Sequence, residues 1–144
     1  ALLAGEMSGH IFINERWYGF DDALYAAARL LEVLCKDERS STEVFADLPD
    51  SVNTPELNVV MQEGEPPVFM NKLLENAHFE GASVSTIDGL RVDYADGWGL
   101  VRASNTTPVL VLRFEADDEA TLKRIMDDFR RVILQVSPDL SLPF

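Results

Sequence analysis

The chain has 144 residues, which is enough for one ordinary domain or for a small domain plus part of another. Its 12 basic and 25 acidic side chains give a net charge of −13, which disfavours binding to nucleic acid or to an anionic membrane. No apolar stretch approaches the roughly 20 residues of a membrane-spanning helix, and the start does not resemble a signal peptide. We therefore expect a cytoplasmic protein that binds neither nucleic acid nor membrane and that holds any anionic ligand with a local cluster of donors.

The first 48 residues contain few predicted elements. A short strand is predicted at His10–Ile13, and the carboxylates of Asp21-Asp22 predict the start of a helix. The capping sequence Ser40-Ser41-Thr42 predicts a second, shorter helix. One strand and two helices cannot cover both faces of a sheet, so residues 1–48 are predicted to be the C-terminal part of an incomplete α/β domain. The chain starts at Ala1 rather than at Met, which also favours a segment of a longer chain.

The first predicted helix carries an apolar face. Residues at helical spacing share it: Leu24, Ala27, Ala28, Leu31 and Cys35. This pattern predicts a buried face and, for the single cysteine, a buried structural thiol rather than a nucleophile. One cysteine cannot form an internal disulfide, which is consistent with a reducing compartment.

Residues 49–144 carry a complete pattern. After a linker at 49–53, strands are predicted at Leu57–Met61, Ser83–Asp88, Leu90–Tyr94, Trp98–Ala103 and Val109–Glu115. Turns are predicted at Asp88-Gly89 and Asp96-Gly97. Helices are predicted from Pro67-Val68 to about Ala77 and from Asp117-Asp118 onward, where apolar residues recur every three or four positions. The predicted fold is α+β, with an antiparallel sheet and helices packed on one face.

A polar loop from Arg102 to Pro108 is the first candidate site. It brings a guanidinium, several hydroxyls, an amide and turn N–H groups together within seven residues, as a phosphate group requires. Arg102 ends an apolar strand, so the sheet can fix the direction of its side chain. Composition alone leaves open the alternative of an ordinary β-turn with a solvated arginine. Arg113, on the next strand, is predicted to lie on a solvated face of the sheet.

The second candidate is the glycine-flanked loop from Gly5 to His10. Its glycines allow close approach of a ligand to the backbone. Glu6 can accept hydrogen bonds from two neighbouring hydroxyl groups, Ser8 lies two residues further on, and His10 can exchange a proton or contact a phosphate. The alternative is a turn entering a strand. No zinc spacing, Asp-rich magnesium loop or glycine-rich nucleotide loop is present in the sequence.

Together the two loops and their flanking residues resemble the α-D-phosphohexomutases. The segment Gly5-Glu6-Met7-Ser8-Gly9-His10, followed by Arg16-Trp17-Tyr18-Gly19-Phe20-Asp21-Asp22-Ala23, resembles the sugar-binding segment of that family's third domain. The segments Asp88-Gly89-Leu90-Arg91-Val92-Asp93-Tyr94 and Gly97-Trp98-Gly99-Leu100-Val101-Arg102-Ala103-Ser104-Asn105-Thr106-Thr107-Pro108 are similar to the signature of its fourth domain. The resemblance covers the whole chain and is strongest to the bacterial phosphomannomutase/phosphoglucomutase subgroup. It favours the ligand-binding interpretation of both loops.

The resemblance implies a role for each loop. Glu6 and Ser8 would bind the 3- and 4-hydroxyls of a hexose, and His10 would lie close to the bound sugar phosphate as an auxiliary group. The phosphate that is not being transferred would be held by Arg102, Ser104, Asn105 and Thr106. The implied domains are 1–48, the end of a sugar-binding domain, and 49–144, a phosphate-binding C-terminal domain.

Two motifs of the family are missing from the sequence, namely its phosphoserine loop and its magnesium loop, which both belong to earlier domains. We therefore expect no principal catalytic residue and no metal ligand here, with Mg²⁺ bound elsewhere in the parent enzyme and hexose 1,6-bisphosphate as activator and intermediate. The implied partners are a phosphosugar and the N-terminal domains of the same monomeric enzyme, in a setting such as exopolysaccharide biosynthesis. The alternative is a non-catalytic module that binds phosphosugars or docks onto a partner.

Overall fold

A computed structural model describes residues 1–6 and 8–144, so Met7 of the first motif lies outside the described residues. The chain divides into two compact units, Ala1–Pro49 and Asp50–Phe144. In the described part of the chain, none of the helices combines the length and the apolar character that crossing a bilayer requires.

The first unit begins with a β-hairpin. Strand β1 (Leu3–Gly5) pairs antiparallel with β2 (Ile11–Ile13), so that Leu3 lies opposite Ile13. The strand β1 was not predicted, because a three-residue segment of small and aliphatic residues has no periodicity of its own. Helix α1 (Ala23–Lys36) and the short helix α2 (Ser41–Ala46) follow.

Both helices begin at side-chain caps that the sequence indicated. The Asp22 carboxylate accepts from the Tyr25 backbone N–H at 3.0 Å. Ser40 and Glu43 form a reciprocal capping box, in which each side chain accepts from the backbone N–H of the other residue. These caps satisfy N–H groups that would otherwise lack an intrahelical partner.

The apolar face of α1 is exposed in this unit, and the prediction that the Cys35 thiol is buried is wrong for the structure. Leu24 is 85% exposed, Leu31 is 61% exposed, and Cys35 is exposed as well. Among the described residues, nothing packs on this face closely enough to bury any residue of α1.

The second unit is a mixed arrangement of six strands and two helices. Its elements are β3 (Val52–Asn53), β4 (Leu57–Val60), α3 (Glu65–Asn76), β5 (Ser83–Ser85), β6 (Leu90–Tyr94), β7 (Gly97–Ala103), β8 (Val109–Ala116) and α4 (Glu119–Val136). The strands form one antiparallel sheet in the order β3-β8-β7-β6-β5, and β4 also pairs with β8. The predicted α+β fold is confirmed for this unit.

Helices α3 and α4 pack on one face of the sheet, as predicted. Along β8 the side chains of Leu110, Leu112 and Phe114 are fully buried, as expected for the covered face of a strand, while Val109, Arg113 and Glu115 on the other face are partly exposed and Val111 is buried there. Gly99 lets the Phe129 ring of α4 lie directly against β7, since a Cβ at this position would collide with that ring. The opposite face of the sheet carries Arg102 of β7 and Arg113 and Glu115 of β8.

Two local predictions are corrected by the pairing. The predicted linker 49–53 ends in a strand, because Val52 and Asn53 pair with the end of β8. The hairpin between β6 and β7 turns at Ala95-Asp96 rather than at Asp96-Gly97. Gly97 is the first residue of β7, where the backbone of Glu115 and Ala116 and the tip of Ile125 leave no room for a side chain.

Candidate phosphate and sugar site

Arg102 occupies a rigid position near the end of β7. It pairs with Val111 of β8 and points, with Leu100 and Trp98, away from the two helices. Gly89, at the turn before β6, adopts a φ of +81°, and a Cβ there would collide with the Val101 carbonyl and with Arg102 itself. The backbone of Arg102 is therefore fixed by β8 on one side and by a close glycine contact on the other.

Arg102 also differs from most arginines of the chain in its charge environment. Among residues 1–6 and 8–144, every arginine except Arg102 and Arg113 has a carboxylate oxygen within 4.0 Å. In a chain with a net charge of −13, an arginine without a carboxylate partner is available to an external anion. Arg113 is partly exposed on its strand, but its Nε is buried and has no hydrogen-bond partner among the described residues.

Hydroxyl groups and backbone N–H groups converge in the loop that follows Arg102. The Ser104 hydroxyl accepts from the backbone N–H groups of Thr106 and Thr107, both at 3.3 Å. It also lies 3.0 Å from the Thr107 hydroxyl and 3.5 Å from that of Thr106. The loop thus concentrates three hydroxyls and two N–H donors around one point, which suits an oxyanion.

These groups line an open cleft of about 460 Å³ on the second unit. Arg102, Ser104, Thr106 and Thr107 contribute to its walls, together with Glu56 and Asn58. The size falls within the range of small-molecule sites, about 300–1,000 Å³. Asn105 is exposed at the tip of the loop and does not line this cleft.

The first loop holds its three predicted residues, Glu6, Ser8 and His10, close together in space. The Ser8 hydroxyl donates to Glu6 Oε2 at 3.1 Å. The hairpin is closed by two backbone bonds, from Glu6 N–H to the His10 carbonyl at 2.9 Å and from Gly9 N–H to the Glu6 carbonyl at 3.0 Å. All three side chains are exposed, so a ligand can reach them from solvent.

His10 has a carboxylate partner that the sequence reasoning missed. Its Nδ1 lies 2.6 Å from Asp21 Oδ2, and this hydrogen bond, supported by the charges of Asp21 and Glu6, raises the pKa of His10. The sequence predicts that Asp21 and Asp22 both mark the start of α1, but only Asp22 caps the helix. The signal for this contact in the sequence is the second carboxylate at Asp21, because one capping side chain, Asp22, is enough to start α1.

The aromatic segment between the hairpin and α1 is fastened to the helix. The Trp17 ring stacks on Tyr25 with centroids 4.5 Å apart, and its Nε1 donates to Asp22 at 3.1 Å. Arg16 pairs with Glu32 of α1 at 2.7 Å. These contacts hold Arg16 and Trp17 against α1.

Two further features complete the description of the charged side chains. Arg91 and Asp93 form an ion pair at 2.7 Å, and the Arg91 guanidinium also lies over the Trp98 ring at 4.2 Å. In the part of the chain that the structure describes, no three His, Cys, Asp or Glu side chains lie close enough to hold a metal ion. The described residues therefore do not fit the magnesium site that the resemblance implies for the family.

Comparison with known proteins places both loops in matched domains. The family model described as "Phosphoglucomutase/phosphomannomutase, C-terminal domain" matches residues 56–132, and the one described as "Phosphoglucomutase/phosphomannomutase, alpha/beta/alpha domain III" matches residues 1–52. The chain belongs to the phosphoglucomutase/phosphomannomutase family. Within that family, the C-terminal domain match includes the Arg102 loop, and the domain III match includes Glu6, Ser8 and His10.

Several members of the phosphoglucomutase/phosphomannomutase family align along the whole chain. A phosphomannomutase/phosphoglucomutase of Pseudomonas putida is 61% identical and one of Pseudomonas aeruginosa 54% identical, each over 100% of this chain and 31% of the relative. A solved structure of a family protein from Burkholderia thailandensis has a TM-score of 0.89 and 54% identity, covering 100% of this chain and 30% of its own. The chain thus spans about a third of the length of the curated relatives it matches.

Proposed function

We propose that this chain supplies the sugar-binding and phosphate-binding loops of a longer enzyme that interconverts hexose 1-phosphates and hexose 6-phosphates. The observation that carries the proposal is the cleft at Arg102, where an arginine without a carboxylate partner meets converging hydroxyl and N–H donors. Membership of the family supports it, and related proteins are named phosphomannomutase/phosphoglucomutase. In this proposal residues 1–48 complete a sugar-binding domain and residues 49–144 form the phosphate-binding domain.

The Arg102 loop would hold the phosphate that is not being transferred. The planar guanidinium can donate two parallel hydrogen bonds to phosphate oxygens. Ser104 and Thr106 can add hydroxyl donors, and the backbone N–H groups that now bond to Ser104 can turn to the anion. Asn105, exposed at the loop tip, would reach the phosphate from outside the cleft.

Glu6 and Ser8 would bind the sugar. A carboxylate accepts hydrogen bonds only, so Glu6 can take one from each of the neighbouring 3- and 4-hydroxyls. The present bond from Ser8 to Glu6 shows that the two side chains reach the same point, and a sugar hydroxyl can take the place of either partner. His10 would lie next to the sugar phosphate as an auxiliary group.

Holding either phosphate in the same loop matches the chemistry of the proposed reaction. A transfer between the 1- and 6-positions through a phosphoserine requires the bisphosphorylated sugar to reverse its orientation in the site. Each of its two phosphates then binds the Arg102 loop in turn. A loop built from a guanidinium, hydroxyls and N–H groups binds the phosphate rather than a particular carbon position, and so accepts both orientations. The phosphoserine and Mg²⁺ of this reaction would be supplied by other parts of the enzyme.

The test is a mutase assay on the full-length protein that contains this chain. With Mg²⁺ and a hexose 1,6-bisphosphate, we expect it to convert glucose 1-phosphate and mannose 1-phosphate to the 6-phosphates. A full-length protein that binds these sugars without converting them would instead support a non-catalytic phosphosugar-binding role.

A further inference from the structure

The Asp21 carboxylate links His10 of the first loop to the segment that precedes α1. Asp21 Oδ2 lies 2.6 Å from His10 Nδ1, and Asp21 Oδ1 accepts from the backbone N–H of Ile11 at 3.3 Å. The carboxylate therefore contacts both the ring of His10 and the backbone of the next residue. An ionised carboxylate can only accept, so the proton on this hydrogen bond belongs to Nδ1 of the histidine.

Asp21 is itself held by the backbone on both sides. It forms an isolated antiparallel bridge with Phe12 of β2, and the following residue, Asp22, caps α1. The backbone of His10 is also held, since its carbonyl accepts from the Glu6 N–H at 2.9 Å, and Gly9 before it turns the chain with a φ of +91°. Asp21 therefore joins the ring of the glycine-flanked loop to the segment that leads into α1.

We propose that Asp21 is a positioning residue that holds the proton on Nδ1 of His10 and turns the opposite nitrogen, Nε2, toward the ligand beside Glu6 and Ser8. This inference rests on the proposed function, in which His10 lies next to the sugar phosphate. When the ring is neutral, Nε2 can accept a proton from the substrate. When the ring is charged, the Nε2–H group can donate a hydrogen bond to a phosphate oxygen. The side chain of His10 is 55% exposed, which leaves Nε2 accessible.

The charges around His10 favour its protonated form. The groups that face it are Asp21, through the hydrogen bond and its charge, and Glu6, through its charge, and both raise the pKa of the ring. The contribution of the His10–Asp21 pair to folding stability is complete below the ordinary histidine pKa, and it is lost as the pH rises through the raised pKa of His10. Asp21→Asn keeps a hydrogen-bond acceptor and removes the charge, so it should lower the pKa of His10.

The experiment compares Asp21→Asn and Asp21→Ala with Asp22→Asn in the full-length enzyme. Asp22→Asn is the matched control, because it removes one charge from the neighbouring residue and keeps a good helix cap. Histidine NMR on labelled protein gives the protonated nitrogen and the titration midpoint of His10. Steady-state kinetics give kcat and KM as functions of pH.

In the wild type we expect the neutral ring to carry its proton on Nδ1. Asp21→Asn should move the His10 titration and the corresponding limb of the kcat profile to lower pH, whereas Asp22→Asn should move neither. Asp21→Ala should reduce kcat about tenfold or more through misplacement of the ring, with a smaller change in KM. Asp21→Asn, which retains an acceptor, should recover part of that loss.

An unchanged His10 titration and tautomer in Asp21→Asn would overturn the inference, and so would a shifted titration with an unchanged kcat profile. The NMR measurement does not depend on turnover. If the wild-type enzyme showed no mutase activity, the proposed function would fail while the pairing of His10 with Asp21 would still be measured.

Discussion

Replacing Arg102 tests the phosphate site at its strongest contact. In the full-length enzyme, Arg102→Ala removes the guanidinium and leaves the rest of the loop in place, because the Ser104, Thr106 and Thr107 hydrogen bonds do not involve it. The backbone at this position is held by pairing with Val111, so the substitution should not disturb the sheet. The variant therefore reports on the side chain.

The size of the effect follows from the contacts that a phosphate can make. Two charge-assisted hydrogen bonds contribute roughly 1.5–3 kcal/mol each when they are shielded from water. The cleft is open in this structure, so we take the lower end of that range for the pair. Two bonds at this lower value amount to about 3 kcal/mol, which corresponds to a decrease in kcat/KM of roughly 10²-fold or slightly more. Arg102→Lys should recover only part of it, since an ammonium keeps the charge but loses the planar fork.

The assay is kcat/KM for conversion of glucose 1-phosphate, with circular dichroism to check folding. Arg131→Ala is the control, because Arg131 is an exposed arginine of α4 whose Nη2 lies 3.5 Å from Asp128, a surface ion pair of small energy. Arg113 is unsuitable, since its Nε is enclosed. If Arg102→Ala stayed folded and kept kcat/KM within about twofold of wild type, the loop would be an ordinary turn and the assignment would fail.

Three further predictions follow from the fold. The 144-residue chain alone should show no mutase activity with Mg²⁺ and a bisphosphate activator, and turnover by the pure chain would contradict the proposed division of roles. Gly89→Ala should lower Tm and kcat/KM more than Gly81→Ala does. Both glycines have a positive φ, but only a Cβ at Gly89 would collide with Val101 and Arg102, so equal effects of the two substitutions would refute this prediction. Hydrogen exchange should be slowest in α4 and β8 and faster in α1, which has no buried residue, and equal protection of α1 would show that its face is covered.

The second unit could be predicted well because its signals are local. The last helix has apolar residues at helical spacing, and the structure buries Leu122, Ile125 and Phe129 as that pattern requires. Strand β6 has the predicted bounds, and the Asp118 cap starts α4 where the acidic pair indicated. In each case the residues that decide the structure are adjacent in the chain.

Several of the errors concern contacts between residues that are distant in sequence. The short strand at Val52 exists only because the end of β8 lies beside it. The burial predicted for Cys35 assumed a partner for the apolar face of α1 that the described residues do not provide. The contact between His10 and Asp21 joins residues 11 apart, across a hairpin and an aromatic turn, and no periodicity reports it.

For the candidate site, the sequence indicated which loops to examine but not how their groups are arranged. The chemistry of Arg102 and Ser104 could be named from composition. Among the residues that the structure describes, Arg102 lacks a carboxylate partner while most other arginines have one, and this depends on the positions of acidic residues from several elements. The exposure of Asn105 outside the cleft likewise depends on the path of the loop.

The most direct measurement of the central claim is a pair of crystal structures of the full-length enzyme, one with glucose 1-phosphate and one with glucose 6-phosphate. In both, we expect the phosphate within hydrogen-bond distance of the Arg102 guanidinium and the Ser104 and Thr106 hydroxyls, with the 3- and 4-hydroxyls at Glu6. A phosphate bound away from Arg102 in both complexes, or a sugar with no contact to Glu6, would contradict the account.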